Sequence, residues 1–106
     1  MSDVRFVYVT TGDEAEADRI AATVVEERLA ACANVIPGMR SVYRWQGKVE
    51  RGQETVLILK TTAALSTQLA ARIKALHSYE VPCVVTLAVD GGNPDFLAWV
   101  AAETRR

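Results

Sequence analysis

The sequence contains few of the residues from which metal centres and catalytic sites are usually built. Its 106 residues include one histidine, His77, and two cysteines, Cys32 and Cys83. Neither cysteine belongs to a CxxC pair, so the spacing argues against a tightly held structural metal. A single disulfide would be a weak framework for a secreted domain, and we therefore expect both cysteines to be free thiols.

An excess of charge of one sign and long apolar runs are also missing. The 12 basic and 13 acidic side chains leave a formal net charge of -1, which provides no general attraction for nucleic acid. No apolar run approaches the ~20 residues that span a bilayer, and the first residues lack the layout of a signal peptide. We expect a cytoplasmic protein with neither nucleic acid nor a membrane as a partner.

The remaining composition is typical of a globular protein, with 50% hydrophobic and 24% charged residues. The length suits one hydrophobic core, and no linker, repeat or low-complexity tract divides it. We predict a single domain over residues 1–106.

Hydrophobic periodicity predicts the first two elements. The β-branched and aromatic run "VRFVYVTT" predicts a buried strand that ends at Thr11. A helix follows, for which Thr11 and Glu14 form a capping-box signature. The spacing of its apolar residues assigns the acidic ones, Glu16 among them, to the solvent face.

A long hairpin is predicted next. Pro37-Gly38 indicates a bend inside its first strand. Either Gln46-Gly47 or Arg51-Gly52 can provide the reversal into the apolar strand "ETVLILKTT". A second helix begins after Thr62 and ends near His77, and "PCVVTLAV" predicts a fourth strand.

The chain closes with a short helix, for which Asn93 is the N-cap and Pro94 the first residue. The order of elements predicts an α+β fold, a ferredoxin-like βαββαβ sandwich with an extra C-terminal helix and a long β2-β3 hairpin. Strands as apolar as "TVLILK" would leave the second sheet face exposed in a monomer, so we predict a homo-oligomer.

His77 admits two interpretations. Tyr79 and Glu80 lie in the same loop, and Cys32 could complete a mixed metal site, because copper and zinc accept imidazole, thiolate and carboxylate donors. Alternatively, the imidazole at a helix C-terminus meets unpaired carbonyl groups. The pattern alone favours the structural interpretation. A nucleophile for His77 would have to be Cys32 or Cys83, which only the fold could bring beside it, and we predict no catalytic residues and no enzymatic activity.

Four stretches carry a resemblance to a known family, and they occur in the same order as there: "EERLAACANVIPGMRSVYRWQGKVERGQE", "LILKT", "LHSYEVP" and "GNPDFLAWV". From about Val4 to Trp99 the chain resembles the CutA family of divalent-cation tolerance proteins. The resemblance implies a ferredoxin-like subunit in a homotrimer, in which the hairpin strands pair with neighbouring subunits. It also implies a non-enzymatic role in copper tolerance.

The resemblance further implies a ligand-binding cleft between subunits, made by Cys32, Tyr43, Trp45, Lys60, His77, Tyr79 and Glu80. Copper donors in the family include a cysteine near the end of the first strand and two adjacent histidines, whereas this chain has Val9 and Leu76 at two of these places. The expectation is therefore weak binding of Cu(II) or another divalent cation through His77 and Cys32, with no obligatory cofactor.

Two alternative functions stay open. CutA proteins are similar to the PII signalling proteins in fold and assembly, so the cleft could bind a small anionic or zwitterionic ligand through Lys60, Tyr79 and Glu80. The other alternative is a mainly structural scaffolding trimer, in which aromatic residues such as Tyr43 and Trp45 build the subunit interface.

Overall fold

Four strands and three helices make up residues 2–105, the part of the chain that the computed structural model describes. In chain order the elements are β1 (Val4–Thr11), α1 (Glu14–Glu26), β2 (Cys32–Trp45), β3 (Lys48–Thr62), α2 (Ala63–Leu76), β4 (Val84–Ala88) and α3 (Pro94–Glu103). The strands form one antiparallel sheet in the order β2-β3-β1-β4. The predicted α+β class and the predicted order of elements are confirmed.

The main core lies between one face of the sheet and the helices α1 and α2. Alternating side chains of β1 and β3 point toward the helices, because successive residues of a strand face opposite sides. Full burial of each large aliphatic side chain stabilises the fold by about 1.5–3 kcal/mol. The fully buried side chains here include Val7, Val9, Ile20, Val24, Leu57, Leu59, Leu69 and Ile73.

Only one end of the second sheet face is covered within the subunit. There Val100 of α3 packs with Val4 and Ala31 in a small second cluster. The remainder, which we call the open face, includes the apolar and aromatic residues Tyr8, Ile36, Ile58, Val85 and Leu87, which the strand register places on this side. Val85 is 47% exposed and Leu87 is 50% exposed, so apolar surface remains in contact with solvent.

The distal halves of β2 and β3 form a ribbon that projects from the sheet. Pairing of β1 with β3 extends only over residues 55–62, so residues 39–45 and 48–54 pair only with each other. The register shifts between Ile36 and Met39, which confirms the predicted bend at Pro37-Gly38. The ribbon reverses at Gln46-Gly47, where both φ angles are positive, 51° and 80°, as a type I′ turn requires.

The start of α1 differs from the prediction in two ways. The Thr11 hydroxyl donates to the Thr55 carbonyl, and the N-cap is Asp13, whose carboxylate accepts a hydrogen bond from the Glu16 backbone N–H. The assignment of Glu16 to the solvent face is wrong, because that residue is buried. By contrast, Asn93 caps α3 and Pro94 begins it, as predicted.

Two further observations concern the cysteines and the helices. Both Cys32 and Cys83 are free thiols, in agreement with the prediction. Over residues 2–105, no helix combines the length and the apolar character needed to cross a membrane.

Candidate functional site

Three segments meet at the carboxyl end of β1 and place the residues around His77. Gly12 makes the connection to α1, Glu16 lies in the first turn of that helix, and the loop after α2 folds back over both. A Cβ atom on Gly12 would lie 3.6 Å from a Glu16 carboxylate oxygen and 3.7 Å from the Tyr79 ring. The packing therefore leaves little room for a side chain at this turn.

His77 is held by hydrogen bonds to both ring nitrogens. Its side chain is 0% exposed, and Nε2 lies 2.8 Å from the Thr10 carbonyl oxygen. Nδ1 accepts a hydrogen bond of 3.0 Å from the Tyr79 backbone N–H. Because a carbonyl can only accept and a backbone N–H can only donate, this network assigns the neutral tautomer with the proton on Nε2.

Glu16 supplies a buried carboxylate beside this histidine. Its Oε1 accepts from the Gly12 backbone N–H at 2.9 Å and its Oε2 from the Ser78 backbone N–H at 2.7 Å. Oε2 also lies 3.8 Å from His77 Nδ1. Burial raises the pKa of Glu16, but the hydrogen bonds from Ser78 and Gly12 outweigh it and hold the pKa below its ordinary value.

Tyr79 links this cluster to the ribbon. Its ring centroid lies 4.6 Å from that of His77, and its hydroxyl donates to Glu54 Oε2 at 2.9 Å. The second oxygen of Glu54 accepts from the Ser41 hydroxyl at 2.6 Å. Burial, the hydrogen bond to Glu54 and the nearby negative charge of Glu54 and Glu16, with a smaller contribution from Tyr43, raise the pKa of Tyr79 to about 12.

Cys32 and Lys60 form a separate pair on neighbouring strands. Lys60 is buried, donates to the side-chain oxygen of Asn34 and lies over the ring of Phe6. Phe6 is four residues before Thr10 in β1, so this pair is ~13 Å along the sheet from His77. Within the subunit, His77 and Cys32 do not meet.

Trp45 and Glu80 are placed elsewhere. Trp45 lies at the end of the ribbon, opposite Lys48 and 51% exposed. Glu80 is exposed and lines a groove of about 360 Å³ with Lys74 and Val81. Of the predicted cleft residues, the subunit thus brings together His77 and Tyr79, with Tyr43 near enough to affect the tyrosine electrostatically.

Sequence reasoning missed Glu16, Glu54 and Ser41. A signal for Glu16 exists, because Asp13 and Glu16 have the spacing of a capping box two residues beyond the predicted one. In the structure the Glu16 carboxylate reaches back to Gly12 rather than to the cap residue itself. Nothing local indicates Glu54, which the hairpin register brings to Tyr79 from 25 residues away in the chain.

The residues around His77 do not fit a cation in this conformation. Both ring nitrogens are used in hydrogen bonds, Val9 is a core residue and Leu76 packs against the core. Among residues 2–105, no group of three or more His, Cys, Asp or Glu side chains could hold a metal ion. The arrangement links segments of the backbone, and it contains no donor set for a metal.

Comparison with known proteins identifies the family. Residues 5–103 match the CutA1 divalent ion tolerance protein family. The divalent-cation tolerance protein CutA of Thermus thermophilus is 47% identical over 98 residues, which cover 92% of this chain and 95% of that relative.

Solved structures agree with this match. The crystal structure of CutA from Xylella fastidiosa has a TM-score of 0.96 at 40% identity and covers 98% of this chain and 100% of that one. The crystal structure of CutA1 from Oryza sativa has a TM-score of 0.94 at 41% identity, with coverage of 98% and 95%. The chain therefore belongs to the CutA1 family of divalent ion tolerance proteins.

Proposed function

We propose that the protein acts in the tolerance of divalent cations, copper among them, as a cytoplasmic homotrimer that catalyses no reaction. The observation that carries this proposal is the family match over residues 5–103. Deletion of the gene should lower survival in copper salts, and the wild-type gene should restore it. Equal survival with and without the gene, over a range of copper and other divalent cations, would refute the proposal.

The assembly is inferred from surfaces that one subunit leaves uncovered. The strand order β2-β3-β1-β4 supports a ferredoxin-like βαββαβ subunit. The open face and the exposed ribbon residues Val42 and Val49 are apolar surface of the kind that subunit association buries. The number three is taken from the resemblance to the family.

Cation binding is proposed to be weak and not obligatory, because the subunit gathers no complete donor set. Of the two predicted donors, Cys32 is a half-buried free thiol, whereas both His77 nitrogens are already hydrogen-bonded. Isothermal titration of Cu(II) into the assembled protein measures the affinity. Absence of any saturable heat would remove direct cation binding from the proposal and leave the tolerance role to be tested in cells.

The cytoplasmic location also needs a direct test. A rice relative is described as chloroplastic, and the CutA protein of Archaeoglobus fulgidus, whose structure is solved, is described as periplasmic. Cell fractionation with compartment markers would locate this protein, and its recovery outside the cytoplasmic fraction would contradict that part of the proposal.

A further inference from the structure

We infer that His77 is a positioning residue, which fixes Tyr79 and, through Tyr79 and Glu54, the base of the β2–β3 ribbon. This inference goes beyond the proposed function, because it assigns His77 a role that needs no cation. The observations that carry it are the hydrogen bonds of the imidazole and the chain of contacts that begins there.

The His77 ring has little capacity left to bind a metal. A metal ligand needs a free lone pair on nitrogen, and in the assigned tautomer only Nδ1 has one. That lone pair accepts the Tyr79 backbone N–H. The other nitrogen donates to Thr10, and the side chain is 0% exposed. Ligation would therefore require breaking a buried hydrogen bond, whereas the existing bonds satisfy both nitrogens.

A series of hydrogen bonds leads outward from the ring. His77 ties the end of β1, at Thr10, to the backbone of Tyr79. The phenol of Tyr79 then binds Glu54, and Glu54 binds Ser41 on the opposite strand. The imidazole thus stands at the core end of a hydrogen-bonded chain that ends on both strands of the ribbon.

The ribbon has little support of its own within the subunit. Within the subunit, residues 39–45 and 48–54 pair only with each other, and a two-stranded hairpin without further strands is marginally stable in water until another copy covers it. Glu54 pairs with Met39, the first residue after the bulge. The series of hydrogen bonds from His77 therefore holds the ribbon at the bulge, where the strand could otherwise change direction.

The test separates positioning from ligation through two substitutions in the full-length assembled protein. In His77→Asn, the amide oxygen can replace Nδ1 as acceptor for the Tyr79 N–H, while the imidazole that suits Cu(II) is removed. His77→Ala removes both properties. Hydrogen exchange of residues 39–54 measures the ribbon, and isothermal titration with Cu(II) measures ligation.

We expect His77→Ala to speed exchange of the ribbon amides about fivefold, the effect of one net hydrogen bond, and His77→Asn to restore much of the protection. The Cu(II) isotherms of the wild type and both variants should coincide. Loss of Cu(II) binding in both variants would overturn the inference and leave the proposed cation binding intact. Unchanged ribbon exchange in His77→Ala would also overturn it.

A second pair of variants does not depend on changing the histidine. Tyr79→Phe cuts the chain at Glu54 and should speed ribbon exchange to a similar extent. Tyr8→Phe is the matched control, because among residues 2–105 the hydrogen bond of that phenol goes to the Met39 sulfur, a weak acceptor, and its effect should be smaller. Equal effects of the two variants would contradict the proposal that the hydrogen bonds from His77 through Tyr79 to Glu54 hold the ribbon. If the wild type binds no Cu(II), the exchange results alone decide the inference.

Discussion

At the scale of single residues, the Glu16 carboxylate connects protonation to folding. It lies 2.9 Å from the Gly12 N–H and 2.7 Å from the Ser78 N–H, and a charged acceptor strengthens both bonds. Arg19, at 3.9 Å but mostly exposed, adds little. The ionised carboxylate therefore joins β1, α1 and the loop after α2 more strongly than the protonated group would.

Replacing Glu16 with Gln should destabilise the protein by about 1.5–3 kcal/mol at pH 7. The amide has one neutral acceptor oxygen, whereas the carboxylate accepts a backbone hydrogen bond at each of two charged oxygens. The folded pKa is lowered, so the unfolded chain binds the proton first as pH falls below the ordinary value of 4.5. The wild type should thus lose stability on acidification through the folded pKa, and Glu16→Gln should lose less.

Urea denaturation at pH 7 and at lower pH values measures both effects. Glu14→Gln is the control, because Glu14 lies in the same helical turn but is exposed, and it should stay close to the wild type. Parallel pH profiles for the wild type and Glu16→Gln would contradict the role of this carboxylate.

Tyr79 predicts the opposite trend at high pH. Its pKa is raised from 10.0 to about 12 in the folded protein, so the unfolded chain releases its proton first. Stability should fall as pH rises from 10 towards 12, and this fall should be smaller in Tyr79→Phe. Absorbance at the tyrosinate band should show a late titration that Tyr79→Phe lacks. Identical titration curves, after allowing for one fewer tyrosine, would refute the assignment.

At the scale of elements, the spacing of apolar residues within each helix and strand reflects which of its faces is buried. Hydrophobic periodicity therefore predicted the order of the elements. The site could not be predicted in that way. Tyr79 meets Glu54 across 25 residues and Ser78 meets Glu16 across 62, so these contacts depend on strand register and loop path. The hairpin was predictable, but two X-Gly pairs satisfied its turn, and local sequence could not choose between them.

The two glycines of the hairpin now allow a matched test. Gly47 has a φ of 80° and Gly52 does not lie in the left-handed region, while neither has an atom within 4 Å of an added Cβ. Gly47→Ala should therefore cost about 1–2 kcal/mol through backbone strain alone, and Gly52→Ala should be close to neutral. Thermal and urea unfolding of the two variants provide the comparison. Equal destabilisation would argue against the type I′ turn at Gln46-Gly47.

At the scale of the whole molecule, the uncovered surfaces extend over much of its length. The subunit measures 44 Å along its longest axis and 22 Å along its shortest, because the ribbon projects beyond the sheet. The open face begins near the base of this ribbon and continues to β4. Burial of one such surface against another copy would stabilise the folded subunit through mass action, so assembly and stability should rise together with protein concentration.

A charge placed on the open face should therefore disrupt the assembly without disturbing the core. Leu87 is 50% exposed in the subunit, so Leu87→Asp meets solvent in a monomer but is left as an unpaired buried charge if another copy covers this face. Thr86→Asp is the control, since Thr86 is the neighbour of Leu87 in β4, is also exposed, and lies on the opposite face of the sheet. Light scattering at micromolar concentration should give the trimer mass for the wild type and Thr86→Asp, and a smaller mass for Leu87→Asp. A wild type that is already monomeric, or a Leu87→Asp variant of unchanged mass, would show that the open face is not the surface on which the subunits meet.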